Sequence, residues 1–134
     1  MDTRGFTALL HSISHNKIEI AHILLHCSLY SNEVQRNTAT QRALVAACMT
    51  GCLQLVNLIM TSEVLSCEVD QIDPINGETP LTAASGTGNY ECCEVLIKNY
   101  VASVRQKNRS GSTPLFKAVE NVSVVNRLKF KAKS

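Results

Sequence analysis

The chain has 134 residues, a length typical of one domain, and 45% of them are apolar, enough for a continuous core. Its formal net charge is +2, but Arg127, Lys129, Lys131 and Lys133 crowd the last eight positions, so residues 1–126 carry −2. No run reaches the ~18 consecutive apolar residues of a membrane span, and a start containing Asp2 and Arg4 is unlike a signal peptide, so no membrane insertion is expected and the expected location is intracellular, in the cytoplasm or the nucleus.

In chain order, the first unit opens with Gly5-Phe6-Thr7-Ala8-Leu9, read as a turn that leads into a helix. A second helix follows, with Ile18, Ala21, Leu24 and Leu25 at helical spacing. Asn16 stands between the two, where a left-handed residue is needed and Asn tolerates it. The second unit has a degenerate turn but keeps Leu44, Ala47 and Gly51, then Leu53, Val56, Ile59 and Met60.

The third unit is the clearest. Gly77-Glu78-Thr79-Pro80-Leu81 combines a turn glycine, a hydroxyl able to cap free N–H groups, and a proline suited to the first helical position. Ala83, Ala84 and Ser85 are small enough for close backbone approach, and Gly88 is a plausible helix stop. Tyr90, Cys93, Leu96 and Ile97 then mark the second helix.

The fourth unit begins 34 residues on with Gly111-Ser112-Thr113-Pro114-Leu115 and Ala118. There the pattern fails. Val122 falls at the corner and is β-branched, and Asn126 and Arg127 occupy places meant for apolar side chains. The period marks a stacked array with units of about 2–34, 35–69, 70–103 and an incomplete 104–121, followed by an atypical basic tail at 122–134. The predicted fold is all-α, a solenoid of helix pairs joined by β-turn loops. Each helix is expected to be about 12 to 15 Å long, too short to persist unless packed on neighbours.

The box Thr79-Pro80-Leu81, returning at Thr113-Pro114-Leu115, together with this layout resembles the ankyrin repeat, over about residues 2–121. The first unit matches at Asp2, Gly5, Thr7, Leu9, Ile18, Glu19, Ile20, Leu24 and Leu25. Where the family has His after Leu, this chain has Leu10, Val45, Thr82 and Phe116. The hydrogen bonds that His makes to the turn are therefore expected to be absent, leaving stability to apolar packing. The first unit lacks a polar cap, so the chain is expected to be a piece or a shortened form of a longer array.

Other chemistry finds little support. Cys27, Cys48, Cys52, Cys67, Cys92 and Cys93 form no Cys-x-x-Cys pair and read as reduced core thiols. His22 and His26, next to Cys27, share a helix face but lack the Glu of a His-Glu-x-x-His site; His11 and His15 are also four apart. Phosphate loops and nucleophile elbows are missing, so no enzyme, no cofactor and no metal is expected. Asn108-Arg109-Ser110 and Asn121-Val122-Ser123 read as chance matches to a glycosylation pattern, and the basic tail as a solvated terminus with no specific nucleic acid bound.

What the resemblance implies is binding of a protein partner on a concave face of turn tips and first helices. The tips carry Thr3, Arg4, Phe6, Ile75, Asn76, Glu78, Arg109, Ser110 and Ser112. The first-helix ends add Ser14, His15, Met49, Thr50, Gly86, Thr87, Glu120 and Asn121. Phe6 and Ile75 lead, because an apolar side chain at a turn tip costs solubility unless something covers it. The expected role is a scaffold or adaptor segment, monomeric or part of a longer array; the alternatives are a structural spacer, or a metal, redox or nucleic-acid module.

Overall fold

A computed structural model describes residues 3–26, 33–61 and 68–121, and these contain helices and turns with no strand. The helices are α1 (Thr3–Ser14), α2 (Ile18–His26), α3 (Glu33–Thr50), α4 (Leu53–Thr61), α5 (Pro80–Thr87) and α6 (Tyr90–Tyr100), with α7 over 114–121. Odd-numbered helices form one layer and even-numbered helices the other. In the first layer α3 packs against α1 and α5, and in the second α4 packs against α2 and α6.

The corners follow from backbone chemistry. Asn16 (φ 58°), Gly51 (φ 77°) and Gly88 (φ 77°) all adopt the left-handed conformation that ends one helix and lets the next start almost at once. Asn16 thus does the work of glycine, as the sequence implies. A fourth left-handed residue, Val101 (φ 55°), ends α6 and is unexpected in a β-branched side chain.

Two expectations fail in the first half. Thr3, Arg4, Gly5 and Phe6 lie inside α1, not at a turn tip, and α3 runs for 18 residues, about 27 Å, through the place where the second turn should stand. The cause is the missing proline. In the third and fourth units Pro80 and Pro114 begin their helices, since proline cannot donate to an earlier carbonyl. Ala8 and Ala43 occupy the matching positions and set no boundary, so the helices extend backwards.

The core sits between the layers. Leu44, Leu55, Val56, Ile59 and Leu96 are essentially inaccessible, and Ala39, Ala43, Ala47 and Ala84 let the first-layer helices approach closely. Leu53, Met60 and Cys93 pack against this cluster while only half-buried. Of the apolar set read on α6, Tyr90 and Ile97 are exposed. They line a groove between α6 and α7 instead of joining the core.

Candidate functional site

The third turn is built around Asp73. Its backbone N–H donates to Glu78 O (2.8 Å), its carbonyl accepts from Gly77 N (2.9 Å), and its carboxylate accepts from Ile75 N (2.9 Å). Gly77 (φ 74°) turns the chain back; a side chain there would be strained and would press on Arg109. Asn76 accepts from Glu78 N at 3.0 Å. Pro74, Ile75 and Asn76 consequently stand out at the tip, Ile75 with 64% of its surface exposed.

The fourth turn repeats the device with Asn108, whose backbone N–H donates to Ser112 O (2.9 Å) and whose side-chain oxygen accepts from Ser112 N (2.9 Å). The two tips are fastened side by side. Arg109 N donates to Gly77 O (2.8 Å), and the Arg109 guanidinium donates to the Pro74 and Asp73 carbonyls. Asn108 Nδ2 donates to both Glu78 carboxylate oxygens (3.1 and 3.2 Å), and Lys117 Nζ lies 3.8 Å from Glu78 Oε1. Buried and bonded in this way, Asn108 is no site for a glycan.

At the first-helix ends, Met49 and Thr50 close α3 with both side chains exposed, and Asn76 Nδ2 approaches Met49 Sδ at 3.9 Å, joining tip to helix end. Thr87 Oγ1 donates to Ala83 O (2.9 Å), and Asn121 Nδ2 donates to Gly86 O (3.1 Å). Glu120 pairs with Lys117 at 3.9 Å. Ser14 Oγ donates to Leu10 O (2.9 Å), while His15 is exposed and stacks on His11.

The candidate residues therefore divide by what their side chains do. Met49, Ile75, Asn76 and Ser110 stand exposed on one side of the array. Glu78, Arg109 and Asn121 fasten one repeat to another, and the Ser112 backbone closes the fourth turn. Arg4 and Phe6 belong to α1, and their side chains lie outside the described residues. Sequence reasoning missed Asn89, whose amide reaches Cys48 O (2.7 Å) and Met49 O (2.9 Å). An Asn directly after the Gly88 corner was the available signal.

Thr82 corrects another expectation. Its hydroxyl accepts from Thr79 N (2.8 Å) and approaches Thr79 O at 3.1 Å, while Thr79 Oγ1 accepts from Thr82 N (3.1 Å). Threonine thus holds the turn where the family uses histidine. It does so because its short side chain folds back onto the cap three residues earlier, as in a capping box.

Cys48, Cys52 and Cys92 are buried and Cys93 is half-buried. Burial, reinforced by Cys93, Cys52 and Glu91, pushes the Cys92 thiol up to about 11. Such a group is a poor nucleophile and a poor metal ligand. Cys27 and Cys67, like the His22 and His26 side chains, lie outside the described residues. Among the described residues, no three His, Cys, Asp or Glu side chains converge on a metal position, and no helix is long and apolar enough to cross a membrane. The groove between α6 and α7, about 700 Å³, is lined mostly by apolar residues including Leu81, Tyr90, Ile97, Val104, Leu115 and Ala118.

Comparison with known proteins places this geometry. A family model described as ankyrin repeats, in three copies, matches residues 44–133. Over 88 residues the chain is 30% identical to Ankyrin repeat and KH domain-containing protein mask of Drosophila melanogaster, covering 66% of this chain and 2% of that protein. Over 79 residues it is 39% identical to E3 ubiquitin-protein ligase KEG of Arabidopsis thaliana, covering 59% of this chain and 5% of that one. The chain thus spans only a small fraction of either relative. Its fold is similar to a chain in the crystal structure of yeast ribosomal protein Rps3 in complex with its chaperone Yar1, with a TM-score of 0.71 at 17% identity. That superposition covers 100% of this chain and 95% of the other.

Proposed function

The chain belongs to the ankyrin repeat family, whose repeats are protein-binding modules, and from that premise we propose that it is a non-catalytic scaffold or adaptor segment. Its partner docks on the face formed by the turn tips and the first-helix ends. The observation that supports this most directly is Ile75, an apolar side chain 64% exposed on a tip whose backbone is pinned by Asp73 and by Gly77. An ordered tip loses little conformational freedom on binding, and covering Ile75 removes apolar surface from water. Met49 extends the same surface through its contact with Asn76.

Cys52, Cys92 and Cys93 are thiols outside any disulfide, which suits a reducing compartment and supports action in the cytoplasm. Ligase activity belongs to the relative that bears that name and is not carried over to a chain that spans 5% of it. Affinity capture from lysate with the wild type, an Ile75→Ala/Met49→Ala variant, and a control substitution at exposed Gln54 on α4 tests the reading. Partners lost from the double variant and kept by the control support this face. Identical partner sets from all three overturn it.

A second reading is a structural spacer inside a longer array, supported by the small share of its relatives' length that the chain spans, 2% and 5%. On that reading the isolated chain aggregates and becomes monomeric when flanking sequence from its parent protein is added.

A further inference from the structure

The last turn of α1 carries His11, and His15, one of the candidate first-helix ends, follows the helix directly. His11 and His15 are one helical turn apart, and their ring centroids stand 4.2 Å from each other with the planes tilted by 35°. Both residues are exposed. His15 Nδ1 lies 3.0 Å from the His11 carbonyl oxygen. A carbonyl only accepts, so Nδ1 carries the proton, and in the neutral ring Nε2 keeps its lone pair. A backbone carbonyl holding one ring nitrogen while the other is left open is how metal-binding histidines are commonly oriented.

We propose that His11 and His15 form a two-imidazole site for a late first-row divalent metal ion such as Ni2+, Cu2+ or Zn2+. Imidazole suits these ions, and bonds of about 2.0–2.1 Å to each require the two stacked rings to turn about their side-chain bonds until a free nitrogen of each faces the ion, a motion open to exposed side chains. The hydroxyl of Ser14 is taken up by Leu10 O (2.9 Å), and the Cys52 thiol, buried nearby, is directed to Asn16 Oδ1 (3.4 Å). Among the described residues no third His, Cys, Asp or Glu joins the pair. Water or a side chain of another molecule completes the coordination. The ion is therefore exchangeable, unlike a structural zinc enclosed by four protein ligands. The inference stands independently of whether a protein partner uses the same face.

Calorimetric titration of the full chain with Ni2+ under reducing conditions tests the site, in the wild type and in His11→Ala, His15→Ala and His11→Phe variants. The Phe variant keeps an aromatic ring against His15 and removes only the ligand nitrogen. The expected result is loss of one equivalent of Ni2+, or at least tenfold weaker binding at that equivalent, in all three variants, with helical circular dichroism unchanged. A His22→Ala/His26→Ala variant is expected to keep that equivalent. Undiminished binding in His11→Phe, or no measurable uptake by the wild type, overturns the proposal.

Discussion

Asn89 donates its side-chain amide to Met49 O at 2.9 Å and to Cys48 O at 2.7 Å, so a residue at the start of α6 caps the end of α3 in the repeat before. Although Asn89 is the N-cap residue of α6, its side chain makes no capping bond to that helix. The last carbonyls of a helix lack intrahelical partners, and here the neighbouring repeat supplies them. Asn121 does the same for Gly86 O one repeat later. Stacking is thereby written into polar bonds as well as into apolar burial.

Replacing Asn89 should therefore loosen the array. Asn89→Ala is expected to lower the unfolding free energy by about 1–2 kcal/mol, and Asn89→Asp by more, because a carboxylate would face carbonyl oxygens. Urea denaturation of both variants measures the loss. An Asn89→Asp variant as stable as wild type would contradict the cap.

The Thr79 and Thr82 pair makes a similar claim inside one repeat. Thr82 is fully buried and its hydroxyl holds the Thr79 N–H, so Thr82→Val keeps the shape and strands that donor. A loss of about 1–3 kcal/mol is expected from an unsatisfied buried group. Equal stability of the two proteins in thermal and urea unfolding would show that the hydroxyl is dispensable.

Val101 is held at φ 55° and is 79% exposed, so its side chain gains little from burial while its backbone is strained. The left-handed conformation costs a β-branched residue about 1–2 kcal/mol, and glycine avoids most of that despite its greater freedom when unfolded. Val101→Gly should raise the melting temperature. A lowered value would mean that Val101 contributes packing that its exposure does not suggest.

Cys92 couples stability to alkaline pH. Its folded value of about 11 lies above the ordinary 9.0, because burial above all disfavours the thiolate, with Cys93, Cys52 and Glu91 adding to it. The folded chain keeps its proton in the window where the unfolded chain releases it. This contribution is complete below about pH 9 and is lost as the pH rises to about 11. Wild-type unfolding free energy should fall more steeply across that window than that of Cys92→Ala. Parallel curves would remove Cys92 as the cause.

The sequence by itself determined the repeat, the helix pairs of the third unit and the three left-handed corners, because these rest on local chemistry. A glycine or asparagine at a corner, a threonine cap and a proline at a helix start act within a few residues of one another. Only the tertiary structure decided the rest. Whether α1 and α3 would run through the positions of their lost turns depended on how far packing could extend a helix that no proline bounds. Whether Glu78 and Arg109 would face a partner or fasten adjacent tips depended on residues 30 or more positions away, Asn108 for one and Pro74 for the other. No local pattern encodes such distances. Side chains at equivalent places in successive repeats are brought together by stacking, and the shape of the exposed face emerges from what stacking leaves unpaired.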